Sequence, residues 1–183
     1  QGNGNSEIFK NDPNILTFSM HCGSNYPAKK SKSDIDVELK DEMEDEEYLD
    51  ILHKNLKELN KNKYDFVFYV AGVDIHFEDR LGKLKITDDG INKRDQRVIE
   101  NFYSKKIPLC GVLGGGYNKS FEKLIIKSPK IHSNPCELRL SKSFCFKPYS
   151  SGIKDWDFLG SKLSGSLSET QSTNLLQILQ FPS

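Results

Sequence analysis

One hundred and eighty-three residues give room for one domain of ordinary size or slightly more; 36% hydrophobic content is lean, yet eleven Phe and seven Tyr permit a core. Twenty-six basic and twenty-six acidic side chains cancel, which excludes a domain-wide cationic field for nucleic acid or an anionic membrane surface. No apolar run approaches the roughly eighteen residues of a membrane span, and the opening QGNGNSEIFK does not resemble a signal peptide.

The chain opens on a Gly/Asn turn sequence, Gln1-Gly2-Asn3-Gly4, ahead of anything regular. Loops ordinarily follow structure, so this opening predicts a fragment of something longer. Asn14 to Met20 is a short apolar and β-branched run that predicts a buried strand. A polar loop follows from His21 to Ser33, with Gly23 and Pro27. Asp41 to Asp50 holds seven carboxylates in ten residues, and Tyr48, Leu49, Leu52, Leu56 and Leu59 then recur at helical spacing. Carboxylates suit a helix N-terminus, where the macrodipole favours them, so the charge run predicts a solvated helix start.

Tyr64 to Val70 is nearly continuous in apolar residues and predicts a strand covered on both faces, as in a parallel sheet. A loop with Gly72, Asp74, Asp79 and Gly82 leads to Lys83–Ile86, and Thr87 stands ready as a helix N-cap. Ile91, Val98, Ile99 and Phe102 give the next helix its apolar stripe. Ile107 to Leu113 predicts another buried strand, stopped by Gly114-Gly115-Gly116, with a short helix marked by Phe121, Leu124 and Ile125. Alternating strands and helices predict an α/β fold with a mainly parallel sheet.

From about residue 132 the character changes. Ten of the forty-three residues from Ser141 to Ser183 are Ser, and only Leu175, Leu176 and Leu179 suggest a short helical turn. Cys22, Cys110, Cys136 and Cys145 never form Cys-x-x-Cys, which predicts reduced thiols in an intracellular, non-secreted protein.

In parallel α/β folds, ligands gather at the carboxyl ends of the strands. Two segments place unusual polar residues there: Ala71-Gly72-Val73-Asp74 with Asp79-Arg80-Leu81-Gly82, and Leu113-Gly114-Gly115-Gly116-Tyr117-Asn118. Each alone is weak, since three glycines are commonly a tight turn and a strand-end Asp is commonly an N-cap or Asx-turn. Together with Gln1-Gly2-Asn3-Gly4 and Thr17-Phe18-Ser19-Met20-His21, followed by Tyr26-Pro27, they form four motifs in a fixed order. That order resembles the zinc-dependent histone deacetylase family, and its details are closest to class IV-type members and their bacterial relatives. The resemblance runs from Gln1 to about Ile131.

The resemblance implies a three-layer α/β/α sandwich of the arginase/deacetylase type. Residues 1–131 would form a partial deacetylase domain whose amino-terminal half is missing, and residues 132–183 a Ser-rich, weakly ordered tail. It implies zinc, held in the family by an Asp-x-His pair ahead of the Gln-Gly-Asn-Gly segment and by the Asp that is Asp74 here. The pair and two upstream histidines are absent, so one of three expected ligands is present and this chain alone is expected to be inactive. Asp74-Ile75-His76 is not that pair, because Asp-Arg-Leu-Gly follows it and Gly-Asn-Gly does not; His76 is expected at the rim. His21 is expected to be structural, and His53 and His132 carry no role.

By the same resemblance Tyr117 is the catalytic hydroxyl that stabilises the developing oxyanion. Gly115 and Gly116 line the substrate tunnel, Tyr26 forms its aromatic wall, and Leu81 lies at its rim. An apolar tube suits the methylene stem of acetyl-lysine. Ser19 matches a position near a structural monovalent cation. The implied partners are acetylated lysines of histones or other proteins, without direct nucleic-acid or membrane binding, in the nucleus and/or cytoplasm; oligomeric state is left open. Two rival readings stand beside this one. They are a non-catalytic deacetylase-like remnant acting as a protein-binding module, and an arginase-type manganese hydrolase.

Overall fold

The computed structural model describes residues 2–120 together with the strand Leu175–Gln180. In chain order the elements are α1 (Asn3–Phe9), β1 (Ile15–Cys22), β2 (Ile35–Leu39), α2 (Asp45–Leu59), β3 (Phe66–Ala71), α3 (Asp88–Tyr103), β4 (Leu109–Leu113) and β5 (Leu175–Gln180). The strands form a five-stranded sheet in the order β2-β1-β5-β3-β4, and every pairing is parallel. The α/β architecture with a parallel sheet is therefore the one the alternation of strands and helices predicts.

β1 alternates two buried sets. Phe18, Met20 and Cys22 join the hydrophobic core, while Thr17, Ser19 and His21 are buried as polar residues. β3 contributes Val67, Tyr69 and Ala71 to the same core, where they meet Tyr48, Leu49, Leu52, Leu56 and Leu59 of α2 and Ile91, Val98 and Phe102 of α3. Fully burying a Leu or Phe side chain is worth about 1.5–3 kcal/mol, so this shared face is the main source of stability.

The two long helices begin as their sequences predict. Thr87 caps α3, its Oγ1 accepting from Gly90 N–H at 3.1 Å. Asp45, in the first turn of α2, also accepts from Thr87 N–H at 2.8 Å. One carboxylate of the acidic run thus joins the starts of α2 and α3.

Four expectations are corrected. The Gly/Asn opening is helix α1, not a turn. Its Ser6 is buried, bonded to Gly2 O at 2.9 Å and paired with Ser33 Oγ at 2.6 Å, while Asn3 Oδ1 accepts from Ser31 N–H at 2.9 Å. These tertiary contacts outweigh the turn preference of Gly and Asn. The loop expected from His21 to Ser33 starts later, since His21 and Cys22 end β1, and strand β2 follows it. β4 is not buried on both faces: it ends the strand order, and Val112 and Leu113 are exposed. Leu175–Gln180 is a strand rather than a helical turn, paired with β1 through Ile178↔Phe18 and with β3 through Ile178↔Tyr69. The expected helix at Phe121, Leu124 and Ile125, the rest of the Ser-rich tail, His132, Cys136 and Cys145 lie outside the described residues.

Candidate active site at the carboxyl ends of β3 and β4

β3 and β4 run in register, Val70 opposite Val112 and Ala71 opposite Leu113, so the loops that leave them start side by side. Contact between these loops depends on glycine. A Cβ on Gly114 would stand 2.8 Å from both N and Cα of Gly72, closer than real Cβ atoms come to backbone. One residue on, Val73 N–H donates to Gly115 O at 2.7 Å. α3 fixes the turn from beneath, with Arg94 Nη1 donating to Gly72 O at 2.6 Å and Arg94 Nε to Asp95 Oδ1 at 2.7 Å. Tyr69 O–H donates to the same Asp95 oxygen. Arg94 is fully buried and its guanidinium lies 5.9 Å from the Tyr69 ring centroid.

This framework delivers Asp74 to a buried position, 1% exposed. Its carboxylate has Gly115 directly beside it, and a Cβ there would stand 1.8 Å from Asp74 Oδ2. Gly82 closes the other side, where a Cβ would stand 1.7 Å from Asp74 O. Between Asp74 and Gly82 the loop folds on itself: Asp79 Oδ1 accepts from Leu81 N–H and Gly82 N–H, both at 2.9 Å. Its second oxygen, Oδ2, accepts from Tyr117 N–H at 2.6 Å.

Five of the sequence-predicted residues are therefore gathered. Asp74 and Gly115 touch, Leu81 and Tyr117 share the Asp79 carboxylate through their N–H groups, and Gly116 lies in the chain between Gly115 and Tyr117. Leu81 is 57% and Tyr117 43% exposed, and Phe77, which sequence reasoning did not single out, is 49% exposed on the same loop. Tyr26 is 85% exposed, on the loop after β1. On that loop Ser24 O and Oγ accept from Lys83 Nζ at 3.1 and 2.8 Å.

His76 is not at a rim. It is buried, its Nδ1 accepting from Glu78 N–H at 3.0 Å and its Nε2 lying 3.3 Å from Asp88 Oδ1. Both ring nitrogens are engaged within the loop and its neighbouring helix. His21 is buried in β1 as a structural residue, sharing a 2.9 Å hydrogen bond between Nδ1 and Ser19 Oγ, and burial lowers its pKa from 6.5 to about 4. His53 is exposed on α2.

A catalytic zinc takes three protein ligands and keeps a fourth position open. Among the described residues no three His, Cys, Asp or Glu side chains converge, so these residues do not by themselves compose a zinc site. They offer one buried carboxylate with a glycine beside it. Cys22 and Cys110 are free thiols, and burial pushes that of Cys110 up, away from thiolate chemistry.

Residues 1–127 match the histone deacetylase domain. The chain is 42% identical over 133 residues to an uncharacterized protein of Picosynechococcus sp., covering 72% of this chain and 44% of that one. It is 36% identical over 132 residues to histone deacetylase 2 of Arabidopsis thaliana, covering 70% of this chain and 34% of that one. The chain thus spans less than half the length of these relatives. A crystal structure of acetylpolyamine aminohydrolase from Burkholderia pseudomallei superposes with a TM-score of 0.55 at 22% identity, over 69% of this chain and 39% of that one, and shares the fold. With more than half of its residues matched by the domain, this chain belongs to the histone deacetylase family.

Proposed function

We propose that this chain supplies the carboxyl-terminal part of the active site of a zinc-dependent lysine deacetylase, of class IV type. It would hydrolyse the amide of acetylated lysines in histones or other proteins, in the nucleus and/or cytoplasm. The observation that carries the reading is the meeting of Asp74 with the Gly115–Tyr117 segment at the ends of two adjacent parallel strands. Membership of the family supports it.

In this reading Tyr117 donates its hydroxyl proton in a hydrogen bond to the acetyl oxygen as negative charge develops there. Removing one such donor typically costs about 10²–10³ in rate. Gly115 and Gly116 keep that side of the entrance free of side chains, and Leu81 and Phe77 offer apolar surface to the methylene stem of the lysine. Asp74 contributes one ligand to zinc, whose role in a complete site is to supply an activated water. The remaining ligands are not among the described residues, and no step of the chemistry is assigned to the chain alone. Ser19 is proposed to lie near a structural monovalent cation, on the strength of the resemblance.

The reading makes the isolated chain a poor zinc binder. Equilibrium dialysis and metal analysis of the 183-residue chain should give well under one zinc per molecule, with no measurable turnover of an acetyl-lysine peptide. Stoichiometric, tightly held zinc would contradict the ligand count. Such a chain without turnover is also what a protein-binding remnant would give. A chimera separates the two, with residues 1–127 replacing the matched stretch of the Arabidopsis relative. Deacetylation by the chimera supports the enzyme reading, and a chimera that holds zinc but does not deacetylate supports the remnant.

A further inference from the structure

We propose that Asp79 is the positioning residue for Tyr117, setting the location of the catalytic hydroxyl by holding the Tyr117 backbone to the loop that carries Asp74. The proposal rests on the reading of Tyr117 just given, which it deepens. The geometry is that of a two-sided clamp. Asp79 Oδ1 accepts two N–H groups of its own loop, Leu81 and Gly82, at 2.9 Å each, and Oδ2 accepts a third from Tyr117, thirty-eight residues away, at 2.6 Å. A carboxylate is the side chain this arrangement requires, because all three partners are donors and it presents only acceptors.

The clamp bears directly on Tyr117 because little else among the described residues does. Tyr117 is 43% exposed and follows three glycines, so neither burial nor chain stiffness holds it. The cross-loop bond from Val73 N–H to Gly115 O anchors the segment two residues earlier. Asn118 Nδ2 reaches Glu78 O at a long 3.4 Å. The Tyr117 N–H to Asp79 bond is the short, charge-assisted one of the set. Since Gly82 also packs against Asp74 O, one carboxylate fixes the Tyr117 main chain relative to the backbone of the metal-ligand candidate. Small displacements of a catalytic group can cost about a hundredfold in rate, so such a tether matters to the chemistry.

Asp79→Asn keeps the shape and removes one acceptor. The amide will turn its oxygen to the two N–H groups of Leu81 and Gly82, leaving its NH₂ facing Tyr117 N–H, donor against donor. The first measurement is amide hydrogen exchange by NMR on the unaltered 183-residue chain. The Tyr117 amide should be protected at least about 100-fold and lie downfield, as a proton shared with a carboxylate does; exchange at the rate of an unstructured peptide overturns the proposal without any variant. In Asp79→Asn, Tyr117 protection should fall about tenfold or more and its amide move upfield, while the β4 amides keep theirs. An unchanged Tyr117 amide overturns the proposal.

The second measurement is a double-mutant cycle in the chimera. Asp79→Asn should lower kcat with little change in KM, and should lower it no further once Tyr117 is Phe. If the two substitutions multiply, Asp79 does not act through Tyr117 and the proposal fails while the deacetylase reading stands. If Tyr117→Phe alone leaves kcat intact, it is the reading of Tyr117 that fails, and the proposal, which is about a catalytic Tyr117, falls with it even if the amide data show the tether.

Discussion

Gly115 lies directly against the carboxylate of Asp74, so close that a methyl group on it would overlap Asp74 Oδ2 at 1.8 Å. The space beside this buried carboxylate exists only because residue 115 has no side chain. Gly115→Ala should therefore displace Asp74 or the loop after β4, with a cost of about 1–3 kcal/mol for forcing atoms into a filled site. Urea unfolding of the two chains measures the cost. In the chimera the same substitution should lower zinc occupancy, since the displaced group is the carboxylate itself. Wild-type stability and zinc content in Gly115→Ala would show that the two residues are not in contact.

Arg94 is the buried cation beneath this site, bonded to Gly72 O and to Asp95. Removing one member of a buried charge pair typically costs about 3–5 kcal/mol, because its partner stays buried and unmatched. Arg94→Met should lose that much, measured by urea denaturation. Arg94→Met with Asp95→Leu should regain part of it, since no charge then remains. A loss below about 1 kcal/mol in the single variant would contradict the buried network.

His21 ties stability to pH. Burial lowers its pKa from 6.5 to about 4, opposed by the nearby Asp36 and Glu38 and assisted by Lys30. Because the folded pKa lies below the unfolded one, the unfolded chain binds the proton more readily. The contribution is intact above about pH 6.5 and is lost as pH falls from there toward 4, up to about 3 kcal/mol in all. Unfolding free energies at pH 7 and pH 5 measure the slope, and His21→Asn should flatten it. An equal slope in both chains would remove His21 as its cause.

Most of the described fold and several residues of the candidate site were legible in the sequence. β1 and β3 announce themselves by short apolar runs, α2 and α3 by period, and Thr87 announces the start of α3. Ile35, Val37 and Leu39 of β2 alternate with Asp36 and Glu38, but five residues beside an acidic run are a faint signal. Leu175–Gln180 fits a turn of helix as well as a strand; its place between β1 and β3, far away in sequence, decides. Asp74, Leu81, Gly115, Gly116 and Tyr117 are legible because their motifs keep family order. Arg94 and Asp95 interrupt the α3 stripe between Ile91 and Val98, and that interruption is the signal a buried polar pair leaves. The contact from Asp79 to Tyr117 spans two loops and leaves no mark in local pattern.

Whether Tyr117 stabilises the oxyanion beside a metal held in part by Asp74 is decided by Tyr117→Phe in the chimera. The measurement is kcat on an acetyl-lysine peptide together with zinc content, with Asp74→Asn assayed alongside. Tyr117→Phe should lower kcat by about two to three orders of magnitude with zinc retained. Asp74→Asn should lose the zinc itself, because a neutral amide is a poor substitute for a carboxylate ligand. Near-normal kcat in Tyr117→Phe, or full zinc in Asp74→Asn, would contradict it.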